Sequence, residues 1–460
     1  MARFDRPLRW IARGGVRPLQ AGWRWFCWAV VTVFYRSCEV NGLEHLPRNG
    51  PVLLCANHPN ALIDAVVIQA AVPRNVHPLA RSGLFRNPLL RPFLAVMQAV
   101  PVHRRQDAEA DPARNAGMFE QCYRMLAAGR ALLIFPEGET HADPSLRALR
   151  SGAARLALGA LERTGSAPAV VPAGLNFTDV GRFRSKVLLR FHPPLEVGVR
   201  EGEPPEEAAV RITAAIDQAL RRVTLNTETW EEQDFMRRVE RFFRLRQGKY
   251  RRRSLTVRFR ALQKLGETLH RVRSRYPEQI AATARRLNQF ERLCGRFGVS
   301  DYHLTVSNSP ALVMRFVVRS LAVIGLVLPL AAWGTLNSIV PYLLTGYLAP
   351  RLAADRYQYD TAKAALGMGI FGAFWAGQTV AVNATLGAAP ALLYALALPP
   401  TAALALYARR ERERILDNIR VFFLFLRKQE VRDLLEVKRT ELEQELRRIV
   451  QLADRPEPGA

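Results

Sequence analysis

The sequence predicts an α/β domain, a mixed sheet covered by helices, followed by a helical region and then an all-α membrane region toward the C-terminal end. Three observations carry that expectation. Short β-like runs alternate with helical patterns through residues 40–225. Long charged stretches with helical spacing follow through 226–308. Two uncharged runs then fill most of 309–408, ahead of an amphipathic helix and a polar tail at 409–460.

Residues 1–39 form a basic and aromatic segment. Arg3, Arg6, Arg9, Arg13, Arg17 and Arg24 stand between apolar residues, and Trp25–Tyr35 is an apolar run. Eleven helical residues cover only ~16 Å, short of the ~30 Å hydrocarbon core of a bilayer. Basic flanks with an aromatic face fit an interfacial helix lying at a membrane surface; a packed helix of the next domain fits equally. The first 20 residues hold arginines and no long apolar core, so no secretory signal is expected.

Within 40–225 the β-like runs are Pro51–Cys55, Ala131–Phe135, Ala169–Ala173 and Lys186–Phe191. Helical patterns between them include Ala61–Ala71 and Ala113–Ala128. Pro204-Pro205 marks a break, after which Glu206–Val223 is amphipathic. The arginine-rich stretches beyond it read as a solvated helical hairpin or as a basic face for lipid headgroups.

Ser320–Pro350 is 31 residues without a charge, and Ala364–Ala408 is 45. One spanning helix needs ~20 residues. The longer run therefore fits two spans with a turn near Asn383–Pro390. The shorter contains Pro329 and Pro341 and fits a kinked span or a re-entrant hairpin. Arg315/Arg319, Arg351/Arg356/Lys363 and Arg409/Arg410 flank the runs on every side. With positive flanks in the cytosol this favours two hairpins, an integral membrane protein, and an α/β domain on the cytoplasmic face.

The formal net charge is +25, which implies an anionic partner: nucleic acid, anionic lipid or a phosphorylated substrate. The uncharged runs and the lack of any nucleic-acid-binding motif argue for lipid and phosphate and against nucleic acid. Five widely spaced cysteines, with no metal-ligand spacing, read as reduced thiols.

Four stretches carry the chemistry. In Asn57-His58-Pro59-Asn60-Ala61-Leu62-Ile63-Asp64, a β-like run ends and a helix is expected to start near Asn60, a good N-cap type. Side chains on a helix lean toward its N-terminus, so the Asp64 carboxylate points back at His58. An aspartate on one imidazole nitrogen leaves the other free to take a proton. In Pro101-Val102-His103-Arg104-Arg105-Gln106-Asp107, an arginine is placed to fork a phosphate. In Phe135-Pro136-Glu137-Gly138-Glu139-Thr140-His141, a strand ends in a tight turn with a carboxylate and several backbone N–H groups. In Val171-Pro172-Ala173-Gly174-Leu175-Asn176-Phe177, a strand runs into Pro and Gly.

Each stretch has a structural explanation of its own, a capped turn, a solvated basic loop or a polar loop. Their order and spacing are specific. NHPNALID, PVHRRQD, FPEGETH and VPAGLNF together resemble the four-block signature of the glycerolipid acyltransferases, over about residues 40–200. The resemblance implies His58 as general base and Asp64 as its partner. It implies Arg104 as phosphate ligand, Phe135, Pro136, Glu137 and Gly138 as substrate-binding block, and Pro172 on the acyl-donor side. Two departures stand out. Five residues separate His58 from Asp64 where the commonest family form has four, a spacing similar to that of the glycerol-3-phosphate/dihydroxyacetone-phosphate branch. The third block reads FPEGETH where many members have FPEGTR. The implied activity is transfer of an acyl group from a thioester to a hydroxyl of a glycerol phosphate. No metal and no cofactor are expected, with acyl-CoA or acyl-carrier protein as co-substrate and membrane lipids as partners. A transporter or scaffold carrying a non-catalytic domain of this type is the alternative.

Overall fold

Five consecutive residues, Val52–Ala56, have no solvent exposure at all, as befits a parallel strand covered on both faces. The structure is a computed structural model that describes residues 2–3, 18–88, 90–103, 112–246, 254–304, 310–353 and 355–453. The chain divides into two units, one of residues 1–230, 254–256 and 349–364, the other of the remainder.

The first unit is a mixed sheet between helices. Its elements are β1 (Ala2–Arg3), α1 (Pro18–Phe34), β2 (Ser37–Asn41), β3 (Val52–Ala56), α2 (Leu62–Ala71), β4 (Val76–Arg81), α3 (Arg91–Val96), β5 (Val100–Val102), α4 (Pro112–Ala127), β6 (Ala131–Ile134), α5 (Gly152–Thr164), β7 (Ala169–Phe177), β8 (Lys186–Phe191) and α6 (Pro205–Val223). The strand order is β1-β2-β8-β7-β3-β6-β4-β5. The central strand β3 runs parallel to β6 and β7, whereas β7 and β8 are antiparallel.

Alternation along β3 builds two cores. Val52, Leu54 and Ala56 pack with α1 and α2; Leu53 and Cys55 pack with α4, α5 and α6. Each leucine so buried contributes ~1.5–3 kcal/mol. Helix α6 has Pro at its start, Glu206 and Glu207 in its first turn and Arg221 and Arg222 in its last, each matched to the backbone dipole. At the amino ends of β3 and β6, the Arg74 guanidinium donates to the carbonyls of Pro47, Gly50 and Gly129, at 3.0, 2.8 and 2.8 Å.

Of the segment Trp25–Tyr35, all but Tyr35 belongs to a 17-residue packed helix, α1. Cys27 and Val31 are buried, whereas Leu19, Trp25 and Val33 face outward. Residues 100–102, expected as loop, form the edge strand β5, where Pro101 needs no ladder donor.

The remaining elements are helices, most of their length in the second unit: α7 (Trp230–Arg246), α8 (Leu255–Arg275), α9 (Pro277–Phe297), α10 (Asp301–Leu304), α11 (Pro310–Leu352), α12 (Tyr359–Leu386), α13 (Ala388–Arg427) and α14 (Gln429–Ala453). Phe242, Phe290, Cys294, Leu435 and Leu442 share one core, so the charged stretches of 226–308 and 409–460 pack together rather than standing as a solvated hairpin. Helix α9 stops at Gly298, whose φ of 64° lets the Val299 N–H reach back to the Cys294 carbonyl at 2.9 Å.

Residues 327–352 of α11, all of α12 and α13 are long and apolar enough to cross a membrane. The break between α12 and α13 falls at Gly387, inside the expected turn. The expectation of two hairpins needs correction: residues 320–350 lie in one uninterrupted helix that absorbs Pro329 and Pro341. An apolar helix tolerates proline because neighbouring groups re-satisfy the freed carbonyls. Leu336, Leu343, Leu393 and Leu396 are exposed. Gly334 brings α11 against α13, since a Cβ there would stand 2.0 Å from the Thr401 carbonyl oxygen. Beside it, the Tyr394 hydroxyl donates to Asn337 at 2.5 Å.

Candidate active site

Parallel register brings the first and third blocks together. Cys55 of β3 pairs with Ile134 of β6. Carried past the strand ends at the same offset, His58 falls opposite Glu137, and the His58 backbone N–H donates to Glu137 Oε1 at 2.9 Å across 79 residues. Both lie at the carboxyl ends of neighbouring parallel strands, where open α/β sheets bind ligands. On the other side of β3, Asn57 fastens to β7. Its side chain accepts from the Leu175 N–H at 2.7 Å and donates to the Leu175 carbonyl at 3.1 Å.

His58 Nδ1 lies 2.9 Å from Asp64 Oδ2. The imidazole stacks on Phe135, with centroids 3.8 Å apart and planes 13° from parallel. His58 keeps 15% side-chain exposure and Asp64 has none, so the ring is reachable and its partner is not. Burial pushes the Asp64 carboxyl up to about 6, against the opposing effect of the His58 hydrogen bond. With Asp64 ionised, Nδ1 carries the proton it donates, and Nε2 is the basic nitrogen.

Asn60 is not the helix cap. Helix α2 begins at Leu62, and its N-cap position is Ala61, with no capping side chain. Ala61 has φ 48° and ψ −134°, a backbone region that suits glycine. Asn60 is fully buried and turns its backbone N–H to Asp64 Oδ2 at 2.7 Å. Its amide donates to Asp360 Oδ2 at 2.7 Å and to the Tyr35 hydroxyl at 3.1 Å.

Glu137 points inward. One oxygen takes the His58 N–H; the other takes the Arg147 N–H at 3.1 Å and contacts His141. This carboxylate ties the turn after β6 to the backbone of His58. The turn closes with Gly138 N–H on the Phe135 carbonyl at 2.9 Å, at a φ of 79°. Arg150 lies over Gly138, its Nε 2.7 Å from where a Cβ would be, and among the described residues it makes no ion pair. Glu139, the added acidic residue, is met by Arg147 at 2.6 Å. Pro136 is buried beneath the turn. Pro172 is buried in β7, paired with Cys55, and its carbonyl accepts from the His192 N–H at 2.9 Å. Arg104 lies outside the described residues. Among the described residues no three His, Cys, Asp or Glu side chains are grouped to hold a metal ion.

The structure thus gathers His58, Asp64, Phe135, Glu137 and Gly138 at one strand end and sets Pro172 in the sheet behind them. Sequence reasoning missed Asn57, Arg150 and the role of Asn60. Asn57 and Asn60 stood inside the quoted block, and the paired asparagines were the available signal.

Residues 37–176 match the family described as Acyltransferase. Glycerol-3-phosphate O-acyltransferase 2 of Saccharomyces cerevisiae is 32% identical over 127 residues, 26% of this chain and 17% of the yeast protein. The 1-acyl-sn-glycerol-3-phosphate acyltransferase of Borreliella burgdorferi is 29% identical over 120 residues, 26% of this chain and 45% of that one. Among solved structures, the 1-acyl-sn-glycerophosphate acyltransferase of Thermotoga maritima is similar at 20% identity with a TM-score of 0.33, covering 43% of this chain and 78% of that one. The chain spans less than half the length of these curated relatives.

Proposed function

We propose, from the premise that residues 37–176 belong to the acyltransferase family, that the chain is a membrane-bound O-acyltransferase acting on a hydroxyl beside a phosphate. The acceptor is glycerol-3-phosphate, dihydroxyacetone phosphate or lysophosphatidate, and the donor is an acyl thioester of CoA or of carrier protein. The observation that carries this is the imidazole itself: braced by Asp64 on Nδ1, stacked flat on Phe135, and 15% exposed.

His58 Nε2 takes the proton from the acceptor hydroxyl as that oxygen bonds to the thioester carbonyl carbon. Asp64 fixes the tautomer and stabilises the imidazolium. The tetrahedral intermediate collapses, the C–S bond breaks, and the departing thiolate takes the proton back from His58. The new ester and the free thiol leave, with no covalent enzyme intermediate. Arg104 and Arg150 hold the acceptor phosphate. Pro172 keeps β7 seated behind the acyl-donor side. The apolar helices α11–α13 hold the protein in the membrane, with the acyltransferase domain on the cytoplasmic face.

Labelled acyl-CoA and each of the three acceptors, incubated with membranes holding wild type or His58→Ala, test the reading. One acceptor becomes labelled, and His58→Ala lowers kcat ~100–10,000-fold. Wild-type activity in His58→Ala, or no labelled acceptor, refutes it.

A further inference from the structure

We infer that Asp360 is a positioning residue for the His58–Asp64 pair and acts on it through Asn60. The inference rests on the acyltransferase reading of that pair. Asp360 stands in the first turn of α12, 300 residues beyond Asn60, and belongs to the same unit as the sheet. It is fully buried. Its Oδ2 accepts from Asn60 Nδ2 at 2.7 Å and from the Tyr35 hydroxyl at 3.0 Å. Asn60 Nδ2 also donates to the Tyr35 oxygen at 3.1 Å, which closes a three-membered ring of hydrogen bonds.

The ring fixes Asn60 from its side-chain end. The backbone N–H of the same residue then lands on Asp64 Oδ2, the oxygen that also meets His58 Nδ1. One carboxylate oxygen thus receives both a donor set by Asp360 and the catalytic imidazole. The next residue, Ala61, holds a conformation that an alanine keeps only where its surroundings over-determine it. Asp360 supplies that constraint. Without it, the Asn60 amide is a buried donor short of an acceptor, and re-satisfying it means turning Asn60 and withdrawing its N–H from Asp64.

Residues around Asp360 hold the segment down. Lys363, one turn on, donates to the Gly181 carbonyl, and Ala364 packs on the core beside α1 and α2. Residues 37–176, the part that matches the family, therefore contain the reacting pair and lack a part of its support. That part comes from the first turn of the apolar helix α12.

The test uses the full chain, purified in detergent, as wild type, Asp360→Asn, Tyr35→Phe and His58→Ala. Asp360→Asn keeps the volume and removes the charge that grips both donors. Acyl transfer should lose about 10–100-fold in kcat, with KM for both substrates within about twofold. Tyr35→Phe should lose less in the same sense. A second readout needs no assumption about the reaction: the rate of carbethoxylation of His58 by diethylpyrocarbonate, followed by peptide mass, with the half-buried His192 as internal control. That rate should change by about threefold or more in Asp360→Asn while His192 is unchanged. Unaltered kcat together with an unaltered His58 rate overturns the inference. If Asp360→Asn does not accumulate, Tyr35→Phe decides it by the same two measurements. If wild type transfers no acyl group but the His58 rate still depends on Asp360, the acyltransferase reading fails and the positioning role stands.

Discussion

Ala61 adopts a backbone conformation that costs an alanine about 1–3 kcal/mol and a glycine little. Ala61→Gly should therefore raise the stability of the domain by about 1 kcal/mol, the gain being offset in part by a freer unfolded chain. A denaturation series on the purified chain checks it; a loss of stability would show that the turn is unstrained. The Asp64 carboxyl gives a second outcome. Its folded value of about 6 lies above its ordinary 3.8. Protonated Asp64 thus favours the fold at low pH, and that contribution is lost as pH rises through about 6. The proposed proton transfer needs the ionised form, so kcat/KM should fall on an acid limb near pH 6, and a profile flat to pH 5 would contradict it. His58 and Asp64 were legible in the sequence because their partnership is local, six positions apart. Asn60 was misread as a cap because capping preference is also a local argument, and its strongest partner lies 300 residues away.

At the scale of elements, strands were legible in proportion to their burial. β3 and β6 are continuous apolar runs, β7 opens on one and β8 holds one between Lys186 and Arg190, and all four stood out. β4 contains His77 and Pro78, and β5 is three residues with Pro101 at its centre. Such strands exist through their neighbours, which no short window contains. The amino ends of β3 and β6 depend on Arg74, whose guanidinium is shared among three carbonyls. Arg74→Met should destabilise the domain by ~2 kcal/mol, because those acceptors lose a charged donor. The site sits at the opposite strand ends, so kcat of the folded fraction should be unchanged. Urea unfolding with parallel assays separates the two effects, and a fall in kcat at full folding would show that the two ends of the sheet are coupled.

The whole molecule combines a formal charge of +25 with three helices long and apolar enough to cross a membrane. These make different demands on the medium. Charge attraction to lipid is screened within ~3 Å at 1 M salt, whereas apolar surface such as Leu336 and Leu393 is indifferent to salt. The chain should stay in the membrane pellet through 1 M salt and alkaline carbonate and leave it only with detergent. Release by salt alone would reduce the apolar helices to an internal core. Uncharged length made these helices legible, and Gly387 fell where the turn was expected. The continuity of α11 was hidden because Pro329 and Pro341 are helix breakers in water.

The shared offset beyond β3 and β6 has a bearing on how such a chain can diverge. His58 and Glu137 are tied to strand ends, and strand ends are fixed by the sheet. The connection between Val102 and Pro112, which carries Arg104, starts and finishes on that fixed frame. Changes of length or charge in that connection leave the strand ends, and with them His58 and Glu137, where they are. A single residue inserted between Cys55 and His58 has no such latitude, for it would carry the base out of step with the strand beside it.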